Sequence, residues 1–129
     1  MFSHVFIGVS DFERAMRFYE PLMAILENNM RFVDREKLWA AWQSSPEPRP
    51  LLLVGKPFDG LPHHAGNGQM IALSAKDRAT VDRAWGAALA NGGHDEGPPG
   101  RRPQYHADYY AAYFRDPDAN KLCVVCHAP

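Results

Sequence analysis

The sequence predicts an α+β fold of two βαβββ modules, whose strands form a curved, cup-shaped mixed sheet with the helices on the outside. Each half of the chain has the pattern of a strand, a helix and then three strands. Residues of similar character also recur 66 positions apart in the two halves. Between the halves, residues 56–67 are rich in proline and glycine and lack hydrophobic periodicity. We therefore expect one domain, residues 1–129, made of modules at about 1–55 and 68–129 joined by this linker.

The first module opens with an alternating apolar strand at residues 3–9. Asp11 predicts the N-cap of a helix, because apolar residues then recur at helical spacing as far as Leu26. Pro21 lacks a backbone donor, so we expect it to kink or shorten this helix. Three short strands complete the module, at residues 30–33, 38–43 and 50–54.

The second module repeats this plan. A strand at residues 69–75 precedes a helix that ends near Ala90. Residues 94–107 begin as a strand, but the glycines and prolines at 97–100 predict that most of this stretch is loop. A hairpin around the turn at 116–120 closes the chain, since Pro117 presets φ and aspartates flank it.

The hairpin of the second module aligns with that of the first at an offset of 72 residues. This offset pairs Trp42 with Phe114 and Leu51 with Cys123. Since the first strands and helices align at 66, the difference of six must lie in loops.

Composition argues against several classes of function. The net charge is −1 and there is no basic run, so we expect neither a nucleic-acid partner nor a membrane partner. No apolar run approaches the roughly 20 residues that span a bilayer. Two cysteines do not make a disulfide framework, and the first residues lack the features of a signal peptide. We therefore expect a cytoplasmic protein.

Two stretches resemble a known family: the His4-Val5 strand with the helix at residues 11–19, and the turn Asp116-Pro117-Asp118-Ala119-Asn120. Together with the repeat, they are similar to the vicinal oxygen chelate superfamily of glyoxalase I, bleomycin resistance proteins and extradiol dioxygenases. The family turn usually has glycine where Ala119 stands. Residues 97–106 resemble a glyoxalase-like subgroup of unassigned substrate. The resemblance covers essentially the whole chain and implies a homodimer.

The resemblance also implies a divalent metal at the floor of the cup, held by two side chains from each module. The corresponding positions are His4, Leu51, Met70 and Cys123, and only His4 keeps its usual residue type. We therefore expect the ordinary site to be lost and no cofactor to be needed. A soft copper site of His4, Met70 and Cys123 is one alternative. The histidines that could rebuild a divalent site from loops are His63, His64 and His106.

Cys123-Val124-Val125-Cys126-His127 matches the attachment pattern of c-type haem. On a strand, however, residues three apart point to opposite faces, so the two thiols would not face one haem. We interpret them as buried packing residues. Cys123 could serve as a nucleophile only with a cation close by, and we favour packing here as well.

The stretch at residues 101–110 is the best candidate for ligand contact. Arg101 and Arg102 offer forked donors to a carboxylate or phosphate, and we single out Arg101. Tyr105, Tyr109 and Tyr110 offer flat apolar faces with polar tips. His106 could be an acid or base near neutral pH. The alternative is a solvated loop whose aromatic residues are pinned on the core.

These observations predict a small-molecule-binding protein with a degenerate metal site and an unknown substrate. Met70 and Cys123 would contact the ligand from the strands, together with Arg101, Tyr105 and Tyr109. The alternative is a metal-dependent glyoxalase-like lyase or dioxygenase-like enzyme, with His4 and His106 carrying metal or proton transfer. A protein-interaction module is a third hypothesis, without an exposed apolar helix or charge run to support it.

Overall fold

Each half of the chain folds as a βαβββ module in the computed structural model, which describes residues 1–129. The chain divides into two compact units, Met1–His64 and Ala65–Pro129, called module 1 and module 2 below. Each module has one helix and its own four-stranded mixed sheet. The predicted α+β class and paired βαβββ plan are confirmed.

Module 1 contains the elements β1 (His4–Gly8), α1 (Phe12–Ile25), β2 (Asn29–Asp34), β3 (Trp39–Gln43) and β4 (Leu51–Gly55). Its sheet has the order β1-β4-β3-β2, in which β1 pairs parallel with β4 and the other pairs are antiparallel. The Asp11 carboxylate accepts from the backbone N–H of Arg14, so it caps α1 as predicted. Pro21 lies within α1 and does not end it, because the helix continues to Ile25, close to the predicted limit at Leu26. Burial of Leu22 and Met23 in the next turn offsets the missing hydrogen bond.

Module 2 contains the elements β5 (Ile71–Ser74), α2 (Arg78–Ala90), β6 (His94–Arg101), β7 (Tyr110–Arg115) and β8 (Lys121–Cys126). Its sheet has the matching order β5-β8-β7-β6, and Asp77 caps α2. The loop expected after His94 is wrong, since β6 continues through both prolines to Arg101. An edge strand tolerates proline because one side of its backbone has no strand partner, and register shifts around Gly97 absorb the irregularity.

The predicted offset of 72 fails at the last strand. Seven residues, 44–50, join β3 to β4, whereas five residues, 116–120, join β7 to β8. Trp42 pairs with Leu52, and Phe114 pairs with Leu122, so the last strands align at 70 residues. The counterpart of Cys123 is therefore Leu53, not Leu51.

Neither helix is long and apolar enough to cross a membrane.

Candidate functional site

The hairpin of β7 and β8 gives module 2 a sheet face that points away from its helix. Tyr110 faces α2, because its hydroxyl donates to Asp82 at 2.7 Å. Side chains alternate between the two faces along β7, so Tyr113, three residues later, lies on the face that points away from α2. There it is the register partner of Cys123 in β8. On that face Tyr109 and Tyr113 pack over three buried residues, Ala111, Cys123 and Val125.

A pair of phenols lies against the Cys123 thiol. The Tyr109 and Tyr113 hydroxyl oxygens are 3.1 Å apart, and the Tyr109 oxygen is 3.9 Å from the Cys123 Sγ. Burial raises the pKa of both phenols and of the thiol. All three groups therefore stay protonated near neutral pH, which weighs against Cys123 as a thiolate nucleophile.

Two histidines meet beside this pair. The Nε2 of His106 lies 2.8 Å from the Nδ1 of His127, and the rings stack with centroids 5.1 Å apart. The backbone N–H of Asp108 donates to the His106 Nδ1 at 3.2 Å. That nitrogen must therefore carry a lone pair, so neutral His106 holds its proton on Nε2 and donates it to His127.

Four aromatic rings, Tyr105, His106, Tyr109 and His127, form what we call the ring cluster. Tyr109 lies at its centre, with ring centroids at 4.9 Å from Tyr105, 5.5 Å from His106 and 5.5 Å from His127. Tyr105, His106 and His127 are exposed, whereas Tyr109 is half-buried. The cluster thus offers an apolar surface with polar edges.

The adjacent arginines behave differently. Arg101 is exposed, and its Nη2 donates to the Ala107 carbonyl at 3.0 Å, which holds the loop that carries the ring cluster. Arg102 is half-buried, and its Cζ lies 5.7 Å from the centroid of the Tyr113 ring. The Nζ of Lys121 lies 5.8 Å from the same centroid. Sequence reasoning took both arginines as possible ligand donors but singled out Arg101, and it missed Tyr113 and Lys121 as site residues.

The sequence presents His127 only as part of the haem pattern, so it was also missed as a site residue. A usable signal existed, because His127 directly follows β8 and continues the spacing of two that Cys123 and Val125 set on one face of that strand. Its partner His106 is 21 positions away, however, and no sequence pattern joins the two.

The superfamily's metal positions carry a poor set of donors in this chain. His4 is exposed, its Nδ1 lies 3.0 Å from the Ser3 hydroxyl, and it pairs with Leu51, which has no donor atom. In module 2, Cys123 pairs with Ala72, while the exposed Met70 precedes β5. No three His, Cys, Asp or Glu side chains are grouped as metal ligands would be. One imidazole, a thioether and a protonated thiol do not fit a borderline divalent ion.

The other candidate residues occupy separate places. His63 packs against Gly8, where an added Cβ would lie 2.7 Å from the histidine Nδ1, and His64 is exposed. Cys123 and Cys126 form no disulfide and are fully buried, as expected of packing residues.

Comparison with known proteins places this fold in a family. The model of the Glyoxalase/Bleomycin resistance protein/Dioxygenase superfamily matches residues 1–124. The chain belongs to this superfamily. The resemblance inferred from the opening strand and helix and from the turn around Pro117 is thereby confirmed.

Solved structures of superfamily members share the fold over nearly the whole chain. A glyoxalase/bleomycin resistance protein from Albidiferax ferrireducens T118 is 34% identical, with a TM-score of 0.88 and 98% of each chain covered. A glyoxalase-related enzyme from Fulvimarina pelagi is 18% identical, with a TM-score of 0.73 over 98% of this chain and 87% of the other. A lactoylglutathione lyase from Agrobacterium tumefaciens is 22% identical, with a TM-score of 0.63 over 98% and 92%. The last two likenesses show the fold alone. No curated protein matches the sequence.

Proposed function

We propose that the protein binds a small planar organic molecule at the ring cluster of module 2. The observation that carries this proposal is the packing of three exposed rings around Tyr109, within 4.9–5.5 Å of its centroid. Exposed aromatic rings that already contact one another can stack on a ligand with little loss of side-chain entropy. The neighbouring phenols and imidazoles supply hydrogen-bonding groups that would orient it.

The proposal requires no bound metal. It is supported by the donor set at His4, Met70 and Cys123 and at the last strand of module 1, where neither Leu51 nor the realigned Leu53 has a donor atom. This set offers a single imidazole and no carboxylate. We further propose a cytoplasmic homodimer, as is common among superfamily members. These points follow from the chemistry of the residues and from the family, and they do not depend on the identity of the ligand.

Equilibrium dialysis with the neutral planar probe 4-nitrobenzamide tests the binding proposal. We expect saturable binding that weakens about three- to tenfold in Tyr105→Ala, because one aromatic contact contributes about 0.5–1.5 kcal/mol. Tyr105 is exposed, so its loss leaves the core intact. Tyr110→Ala is the matched control, since Tyr110 faces α2 instead of the ring cluster. Absence of binding, or equal weakening by both variants, overturns the proposal.

A glyoxalase-like lyase or dioxygenase-like enzyme is the second candidate. It is favoured by the 2.8 Å contact between His106 and His127, which could relay a proton to or from a bound substrate. Turnover of the hemithioacetal of methylglyoxal and glutathione, with and without added divalent metal, checks the lyase form. Activity that disappears in His127→Ala would place catalysis ahead of simple binding.

A further inference from the structure

We propose that Arg102 and Lys121 form an anion-binding subsite over Tyr113, beside the ring cluster, for a carboxylate or phosphate group of the bound molecule. The inference rests on the proposed function, which assigns the planar part of the ligand to the ring cluster. It names the class of ligand, a planar organic anion.

The first argument is that two cations share one ring. The Arg102 Cζ and the Lys121 Nζ lie 5.7 and 5.8 Å from the centroid of one ring, that of Tyr113. Neither makes a close ion pair, since the close ion pairs of module 2 join Arg78 to Asp108 and Arg115 to Glu96. Glu96 offsets part of this charge, because Arg115 and, more weakly, Lys121 lower its pKa. An anion that reaches both cations would offset the remaining positive charge.

The second argument is that the Arg102 guanidinium lies close to two glycines. A Cβ added at Gly100 would lie 2.9 Å from the Arg102 Nη1. At Gly97, where φ is +152°, an added Cβ would lie 3.4 Å from the Arg102 Nη2 and 3.3 Å from the Tyr113 ring. A side chain at Gly100 would press on the guanidinium, whereas at Gly97 the closer contact is with the Tyr113 ring and the positive φ disfavours other residues. Gly100 therefore makes room for Arg102.

Backbone carbonyls then hold this guanidinium in place. The Nη2 donates to the Pro98 carbonyl at 2.8 Å, and the Nη1 donates to the Arg101 carbonyl at 3.3 Å. A guanidinium has five N–H donors, so three remain for a ligand. Because the side chain is already ordered, binding an anion would cost little further conformational entropy.

The third argument is the supply of neutral donors next to the cations. The Tyr109 and Tyr113 hydroxyls lie 3.1 Å apart, so one phenol donates to the other and the accepting phenol keeps its own O–H proton for another partner. Burial raises the pKa of Tyr113, so its hydroxyl stays protonated and able to donate. A carboxylate or phosphate has several acceptor oxygens and could take donors from the cations and the phenol together.

Arg101 provides a matched control because it adjoins Arg102 and carries the same charge. Its Nη2 is bound to the Ala107 carbonyl, no aromatic ring lies under its guanidinium, and it is exposed. If only the summed positive charge of the loop attracted anions, the two arginines would contribute equally. If a built subsite binds them, Arg102 matters and Arg101 does not.

The experiment compares three probes of one shape by equilibrium dialysis of the full chain at pH 7: 4-nitrobenzoate, 4-nitrophenyl phosphate and neutral 4-nitrobenzamide. We expect at least one anion to bind about tenfold more tightly than the amide. Arg102→Gln and Lys121→Gln should each reduce this preference at least threefold. Arg101→Gln should leave the ratio of anion to amide affinity unchanged, because releasing the loop that Arg101 holds affects all three probes alike. The stronger of the two anions identifies the ligand group as a carboxylate or a phosphate.

The outcomes separate the two proposals. If the amide binds at the ring cluster but neither anion is preferred, the subsite is overturned and the proposed function stands. If no probe binds, both are overturned. An anion preference that falls equally in Arg101→Gln and Arg102→Gln also overturns the subsite, because it reflects diffuse charge. Thermal melts check that each variant is folded. Lys121→Gln tests the subsite independently of Arg102→Gln.

Discussion

In module 1 the helix packs Phe18 and Leu22 against its sheet, whereas 66 residues later the helix of module 2 packs Ala84 and Ala88. All four side chains are fully buried. The strands that face them remain similar, with Leu52 and Val54 in one sheet and Leu122 and Val124 in the other. The repeat therefore preserves which positions are buried, but not the volumes that fill them.

The two modules differ more on the sheet faces that point away from the helices. In module 1, the exposed residues His4 and Phe6 alternate along the edge strand β1. In module 2 the corresponding face carries the phenol pair over Cys123, with Arg102 and Lys121 beside it. Module 1 also carries rings on this face, since the centroids of Phe32 and Trp39 lie 4.9 Å apart, but module 2 adds the phenol pair and two nearby cations.

The largest effect is expected from exchanging residues between the helices. Leu22→Ala should lower the free energy of unfolding by about 2–5 kcal/mol, because it removes a buried side chain and leaves a cavity. The reverse exchange in module 2, Ala88→Leu, should cost about 1–3 kcal/mol through overpacking. Urea unfolding followed by circular dichroism measures both. A neutral Leu22→Ala would mean that α1 does not depend on this contact.

A smaller effect is expected in the hairpin turns. The buried carboxylate of Asp116 accepts from the backbone N–H groups of Asp118 and Asn120 and from the Asn120 side chain, at 2.8–2.9 Å. Asp116→Ala should cost about 1–3 kcal/mol, since it leaves these donors without their acceptor. Ser44→Ala, in the longer turn of module 1, loses one bond to the Pro50 carbonyl and should cost under about 1 kcal/mol. Equal losses in urea unfolding would contradict this contrast.

The smallest effect concerns the cap of α2 and depends on pH. The Thr80 hydroxyl and backbone N–H both donate to the Asp77 carboxylate at 2.7 Å, which lowers the pKa of Asp77 below its ordinary 3.8. The folded protein therefore binds this proton less readily than the unfolded chain. The resulting stability is fully present above pH 3.8 and is lost as the pH falls through the lowered pKa.

Asp77→Asn should lose less stability than the unmodified chain between about pH 5 and pH 2, because its side chain does not titrate. Urea midpoints at several pH values measure the difference. Identical pH profiles for the two proteins would show that this carboxylate contributes nothing to acid sensitivity.

Sequence patterns predicted the elements well where packing and local chemistry agreed. Asp11 predicted the cap of α1, and the equivalent Asp77, 66 residues later, caps α2, because a carboxylate just before a helix binds N–H groups of its first turn. The pattern failed at β6, because the prolines that argued for a loop are tolerated at an edge. It also aligned Cys123 with the wrong residue of module 1. The loop between β3 and β4 is two residues longer than the loop between β7 and β8, and hydrophobic alternation does not reveal a difference of two.

The candidate site was only partly predictable. Tyr105, His106 and Tyr109 were identified because aromatic and titratable residues cluster locally in the sequence. His127 and Lys121 were not, since strand pairing and loop folding bring them to the site from a distant part of the chain. Arg101 and Arg102 are indistinguishable by residue type. Only the contacts of each guanidinium separate the one that holds a loop from the one that lies over a ring.

By itself, the sequence determined the superfamily, the two βαβββ modules and the buried faces of their helices, because periodicity and capping act over a few residues. Tertiary structure alone decided which residue stands opposite Cys123, which arginine lies beside Tyr113 and which histidine meets His106. Those contacts join residues far apart in sequence, and they depend on loop lengths and strand register. A shift of two residues keeps the same face buried, so hydrophobic alternation does not reveal it.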